Sequence, residues 1–286
     1  MARPAPPDAP AALVSRRPPA PLANHVEAIW ISSRHALPHR RERSLPTGRA
    51  DIVIPLLQPA IVRYDQVDSP SGRHLHGPIV AGAHDRFVVR GMGGPSCVVG
   101  VHFRPGGAAA FFGGGLPALR NRTELLEDLW GSQAIDLRDR LQSAPGPEGR
   151  FDVIETALLA RLRAASPPDA IAAAALRAFA RDPSAARVAA VQRASGLGAA
   201  QFIRRFEAAV GLTPKRYARV LRLRTLLSRI AVDAPRDWAG IAADSGFSDQ
   251  SHLVREFRRM TGLTPTAYRP PDPSRPTHVP IADAAR

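Results

Sequence analysis

Between about Asn24 and Phe103 the apolar residues come in short runs broken by Gly, Pro, Asp and His. Val26 with Ile29 to Ile31, Ile52 to Leu57, Ile61 to Tyr64, Ile79 to Ala81, Phe87 to Val89 and Cys97 to Phe103 are each the length of a strand. Short apolar runs between turn signals predict a small barrel or sandwich. From Thr123 onward the spacing changes. Thr123 to Gly131 reads as a capped turn or short helix with acidic first-turn residues. Ile135, Leu137 and Leu141 predict a helix. Phe151, Ile154, Leu158, Leu159 and Leu162 predict another over about 150–165, ending before Ser166-Pro167-Pro168. The expected organisation is a Pro-rich disordered tail over 1–22, a β-rich domain with trailing helices over 23–165, and a linker at 166–169. A helical domain over 170–270 and a second tail over 271–286 complete it.

The helical domain contains a repeat. Phe202, Arg204 and Phe206 recur as Leu253, Arg255 and Phe257; Gly211-Leu212-Thr213-Pro214 with Tyr217 recurs as Gly262-Leu263-Thr264-Pro265 with Tyr268. The offset is 51 residues throughout, but 50 for Gly196 and Gly246, so the second copy has one more residue in its turn. Each copy reads as an apolar helix, a Gly-containing turn and a second helix with apolar residues four apart, which is a helix-turn-helix. In helix order, Asp169 caps a helix over Ile171 to Ala180. Asp182-Pro183 launches one from about Ser184 to Ala194. Ala199 to Val210 is the first recognition helix, and Thr213-Pro214 starts a long helix to about Ala231. A helix around Trp238, Ile241 and Ala242 ends at Gly246. Ser248 caps the second recognition helix, Asp249 to Met260, and Thr264-Pro265 begins a last short helix.

The ordered set Ile241-Ala242, Gly246-Phe247, Ser248-Asp249, Leu253-x-Arg255-x-Phe257, Gly262-x-Thr264-Pro265 and Tyr268-Arg269 resembles the signature of the AraC/XylS family of bacterial transcription regulators. The resemblance covers about 170–270 and implies two helix-turn-helix units joined by a long helix. The run Leu45 to Asp51, Gly77-Pro78 and Gly100 to Gly107 is similar to the uncharacterised sensor-like domain that precedes the double motif in one AraC subfamily. Sensor domains of the family are often cupin-like barrels that bind a small effector. The fold class expected is therefore α+β: a β-rich, cupin-like barrel or sandwich followed by an all-α DNA-binding domain. The resemblance implies double-stranded DNA as partner, with RNA polymerase, a small-molecule effector and a second copy of the chain as further ones.

A helix-turn-helix places residues early in its second helix in the major groove. In the second copy these are Gln250, Ser251, His252 and Arg255, with Arg259 toward the backbone; Gln reads adenine and Arg reads guanine or holds a phosphate. In the first copy they are Ala200, Gln201, Ile203 and Arg204, with Arg205 as a phosphate contact. Gly198 stands where a Ser or Thr cap is usual, and Ala199-Ala200 offer only apolar contact, so this copy is expected mostly to grip the backbone. Two such helices on a rigid spacer enter successive major grooves about 34 Å apart.

Charge agrees with this reading. The formal net charge is +14, and between Ala170 and Arg269 there are 17 Arg and Lys against 7 Asp and Glu. A basic excess held in one domain fits a polyanionic partner. The one cysteine, Cys97, excludes an internal disulfide, and no basic group adjoins it in sequence. The N-terminal stretch lacks a basic-then-apolar signal pattern, and the longest apolar run, Ile171 to Ala180, is broken by Arg177. A cytoplasmic protein without membrane contact is expected. No cofactor motif is found: Gly113-Gly114-Gly115 lacks the Lys and Ser/Thr of a phosphate loop. His74 and His76, with His84 and His102, are the nearest approach to a metal set, but no Glu follows His76 at the expected spacing. A cupin-like metal-binding enzyme fused to a DNA-binding module is the alternative; no catalytic residue is assigned.

Overall fold

The computed structural model describes residues 12–35, 37, 39–163, 167–184, 187–230, 237–272 and 275–282. The first part of the chain forms β1 (Ala12–Arg16), β2 (Val26–Arg34), β3 (Arg41–Ser44), β4 (Asp51–Pro55), β5 (Ile61–Tyr64), β6 (Arg73–Leu75), β7 (Ile79–Ala81), β8 (Val88–Gly91) and β9 (Ser96–Phe103). Then follow α1 (Ala109–Phe112), β10 (Thr123–Leu125), α2 (Glu127–Trp130), α3 (Gln133–Ser143) and α4 (Gly146–Arg163). The remainder is α5 (Ala170–Arg181), α6 (Val188–Ala194), α7 (Ala199–Val210), α8 (Pro214–Ile230), α9 (Trp238–Asp244), α10 (Gln250–Thr261) and β11 (His278–Ile281).

The strands make a six-stranded sheet, β1-β2-β9-β4-β7-β10, and a five-stranded sheet, β11-β3-β8-β5-β6, with every pairing antiparallel. Alternation along the central strands sends Ile29, Ile31, Ile52, Ile54, Val99, Val101 and Phe103 to one face, where they are buried with Phe111, Trp130, Leu137, Leu141, Phe151, Ile154 and Leu158 of α1 to α4. The other face, carrying Trp30, Arg34, Asp51 and His102, looks toward the second sheet. Arg73 of β6 bridges the two sheets at one edge through Glu124 and the Thr123 carbonyl.

The structure corrects several sequence expectations. Ala12–Arg16, placed in a disordered tail, pairs with β2 as an edge strand, and Leu22 is fully buried. His278–Ile281, placed in the other tail, pairs with β3 and buries Val279 and Ile281. Both strands are short and flanked by Pro, so composition hid pairings that only distant partners supply. Residues 1–11, 273–274 and 283–286 of those tails, and 164–166 at the expected linker, lie outside the described residues. Thr123–Leu125 is a strand, and only Glu127–Trp130 of that stretch is helical. Ile135 faces solvent, Ala134 taking its place inward. The helix expected from about Ser184 begins at Val188. Cys97 does have a basic neighbour, Arg150, whose Nη1 lies 3.7 Å from the thiol sulfur.

The repeat is visible in space. Four residues separate α6 from α7 and five separate α9 from α10, which is the extra residue of the second turn. Phe202 and Phe206, like Leu253 and Phe257, are buried, as are Tyr217 and Tyr268 after each closing glycine. The second part of the chain is fastened to the first. Leu45, Ala83 and Val279 belong to the core of the helical units. Arg120 pairs with Glu207 at 2.6 Å, Arg216 with Asp85, and the Phe87 amide donates to the Met260 carbonyl at 2.7 Å. On β11, His278 is bonded to Glu42 of β3 at 2.6 Å, and Arg90 of β8 approaches the same carboxylate at 2.9 Å.

Two predictions follow from these contacts. Gly246 has φ +76°, and a Cβ there would overlap the Ser184 carbonyl, whereas Gly196, at φ +70°, has open space around it. Gly246→Ala therefore costs more than Gly196→Ala, which loses about 1 kcal/mol for the left-handed backbone alone. Urea midpoints of the two full-length variants check this, and equal midpoints would show that the second turn relaxes. Burial alone would raise the Glu42 carboxyl, but the His278 hydrogen bond and the Arg90 charge outweigh it and hold the group at about 2. A depressed carboxylate contributes stability above its unfolded value and loses it as pH falls. The wild type should lose stability between about pH 5 and pH 2, and the loss should be smaller in Glu42→Gln, read by thermal unfolding across that range.

Candidate DNA interface

Two helices of twelve residues, α7 and α10, stand at equivalent places in the repeat. Each is amphipathic. The inward stripe of α7 is Phe202, Phe206, Ala209 and Val210; that of α10 is Leu253, Phe257, Met260 and Thr261. Aromatic packing fixes their roll: Phe206 contacts Phe179 of α5 at 5.7 Å and Tyr217 of α8 at 5.6 Å, and Phe257 contacts Tyr268 at 5.8 Å.

The opposite stripe of α7 exposes Ala200, Gln201, Ile203 and Arg204. Arg204 has no hydrogen bond or ion pair among the described residues. Arg205, expected at the backbone of DNA, pairs with Asp169 at 2.7 Å, and Asp169 also caps α5 by accepting from the Ala172 amide. Arg205 thus anchors α7 to α5. Gly198 gives α7 no side-chain cap, so among the described residues its first-turn N–H groups meet no side chain.

On α10, Gln250, Ser251, Arg255, Arg258 and Arg259 are exposed. The helix cap is Asp249, not Ser248: Asp249 Oδ1 accepts from the His252 amide at 2.7 Å, and the Ser248 hydroxyl donates to Asp249 Oδ2 at 3.0 Å. These two hydrogen bonds hold the Asp249 carboxyl below its usual range. His252 is half-buried, edge-on to Phe247 at 5.5 Å, and its Nδ1 accepts from the Ser248 amide at 3.3 Å. In the neutral ring the proton then sits on Nε2. Arg259 leans on Glu256 at 3.3 Å, whereas Arg255 and Arg258 have neither hydrogen bond nor ion pair among the described residues.

Three residues that matter here were not singled out from the sequence. Arg219 of α8 makes a bidentate pair with Glu256 of α10, at 2.6 and 2.9 Å, and Arg222 donates to the Gly246 carbonyl at 3.0 Å. Both hold the second recognition helix and its turn against the spacer helix. With Lys215, Phe247 and His252 they line a groove of about 380 Å³ beside α10. Arg219 and Arg222 lie three apart on α8, so their shared face was legible; their partners, 37 and 24 residues away, were not. The histidines weighed as metal ligands are scattered: His74 and His76 stack on each other, His102 is bonded to Asp51, and among the described residues no three such groups are placed to share an ion. No helix among the described residues is long and apolar enough to cross a membrane.

Comparison with known proteins bears on each half separately. Residues 191–270 match a helix-turn-helix domain family, and residues 15–124 match a domain of unknown function, DUF6597. LumQ of Photobacterium leiognathi, a probable transcriptional regulator, is 34% identical over 83 residues, which are 29% of this chain and 33% of that protein. The chain thus spans about a third of the length of this curated relative. Among solved structures, ToxT of Vibrio cholerae superposes with a TM-score of 0.44 at 11% identity, covering 84% of this chain and 96% of ToxT. The AraC-like transcriptional activator CuxR gives 0.27 at 16%, covering 77% and 87%. Residues 191–270 are thus of the helix-turn-helix kind by their match, and residues 15–124 are similar to a domain to which no function is assigned.

Proposed function

We propose that the protein is a sequence-specific DNA-binding transcription regulator of the AraC/XylS type, its N-terminal half modulating binding through a small effector or self-association. The observation that carries this reading is the duplication itself. Two capped or glycine-led helices present unpaired arginines, Arg204 and Arg255, at matching positions on faces that the aromatic core turns outward. Gln250, Ser251 and Arg255 read bases in one major groove. Ala200, Gln201, Ile203 and Arg204 lie on the next, where the free amides at the start of α7 suit a phosphate. His252 offers its Nε2–H while its other nitrogen closes the turn. Arg259 reaches a phosphate from its place beside Glu256, and Arg205 acts by fixing α7. The regulator works in the cytoplasm on chromosomal DNA, and RNA polymerase and a second copy of the chain are its natural protein partners. Any coupling between the halves requires an effector that binds two arrangements of the chain with different affinity.

The test begins with selection of genomic fragments by the purified full-length protein, which should return sites of about two helical turns. On a selected site, Arg255→Ala should weaken binding by about 1–3 kcal/mol and relax preference at one base position. Unchanged affinity and preference would remove Arg255 from the reading surface. Arg258→Ala should behave differently: it weakens all sequences alike and reduces the slope of log affinity against log salt by about 1. A sequence-dependent effect of Arg258→Ala would place that side chain in the groove instead.

A further inference from the structure

The sandwich grips both helix-turn-helix units, and at separate places. The first unit is held at the end of α7 and the start of α8. The Arg120 guanidinium meets Glu207 of α7 at 2.6 Å. Arg216 of α8 pairs with Asp85, whose other oxygen accepts from the Asn121 side-chain amide at 2.9 Å. Gly48 lies so near α8 that a Cβ there would come within 3.3 Å of Tyr217 and Val220. Leu45, three residues earlier, is buried in the core of the helical units.

The second unit is held by the chain that follows it. Tyr268 packs edge-on to Phe257 of α10 at 5.8 Å, and its hydroxyl donates to the Pro276 carbonyl at 2.5 Å. The next carbonyl, that of Thr277, accepts from the Leu45 amide at 2.8 Å, and β11 then runs along β3. Alternation on β11 turns Val279 into the core that holds Phe257 and Met260, and turns His278 the other way, to Glu42. Beside it Phe87 donates its amide to the Met260 carbonyl and sets its ring against Gly262, where a Cβ would overlap it. Two connections therefore run from α7 to α10. One is α8, which reaches the second unit through Arg219 and Arg222. The other passes from Glu207 through the sandwich to β11 and back to Tyr268.

We propose that the sandwich, through β11, fixes the spacing and mutual rotation of the two recognition helices, and that Tyr268 and Val279 are positioning residues for DNA recognition although both are buried. This rests on the reading of α7 and α10 as recognition helices and adds what selects the distance between the two elements of their site. One base pair inserted between those elements shifts the second by about 3.4 Å and turns it by about 35°. Helices held at two points cannot follow that change without strain, whereas units joined loosely lose only effective concentration.

The experiment uses the full-length protein and the site it selects, with versions of that site carrying one base pair more or one fewer between the two elements. The wild type should bind both altered sites at least about tenfold more weakly than the original. Val279→Asp, which drives β11 out of the helical core, should bind all three within about threefold of one another. The milder double variant Tyr268→Phe with Val279→Ala should lie between, and it decides the matter if Val279→Asp does not fold. Hydrogen exchange gives a readout without DNA: amides of α10 should exchange faster in the variants while those of α7 keep their wild-type rates. A wild type indifferent to spacing, variants with the wild-type spacing profile, or unchanged exchange in α10 each overturns the role of β11. Failure to select any site would instead sink the reading of α7 and α10 as recognition helices, and this inference with it.

Discussion

The arrangement of the C-terminal part depends on burying one stripe of each recognition helix. Once Phe202 and Phe206 are locked against Phe179 and Tyr217, α7 has no freedom to roll, and the identity of its outer face follows. The same holds for α10, where Leu253 and Phe257 are buried against the segment that ends in Tyr268. Interiors are packed as densely as organic crystals, so a rotation of either helix would open a void as well as a clash. The hydrophobic core thus does the aiming, and the polar residues need only be the right ones at the positions left outside. Arg219 and Arg222 refine the aim by tying α10 and its turn to α8.

What the sequence disclosed is what local spacing determines. The apolar residues four apart, the glycines at left-handed turns and the cap at Asp169 all lie within a few positions of the feature they cause, and the repeat doubles their signal. What it concealed depends on partners far along the chain. The ion pair that ties Arg205 to α5 was hidden because its partner Asp169 is 36 residues away. Asp249 displaced Ser248 as the cap because a carboxylate one position later reaches the same amide, a difference of geometry within identical chemistry. β1 and β11 have too few apolar residues to announce themselves, and each exists because another strand offers it a hydrogen-bonding edge. Of the residues expected to face a groove, all are exposed except His252, which is half-buried.

The two halves handle charge in opposite ways. The helical units carry it outward, where water screens it and a polyanion can collect it. The sandwich turns part of it inward, with Glu42, Arg90 and Asp51 on faces that look toward the opposite sheet. Such placement works against folding stability, and local departures of this kind concentrate where a chain does something besides fold. Glu42, Arg90 and His278 show that the interior can also be self-consistent, since there the charges close on one another and join β11 to the sheet.

That joining has a consequence for the order in which the molecule can be made. β11 comes after both helix-turn-helix units in sequence, yet it completes the sheet that β3 begins. During synthesis β3 is an unpaired edge until some 230 further residues have been added, and an open edge is a template for pairing with other chains. Arg41, Glu42 and Arg43 along that edge are charged, which discourages such pairing while the strand waits. The sandwich is thus the first part to be translated and the last to be completed, since both helical units are synthesised before its final strand.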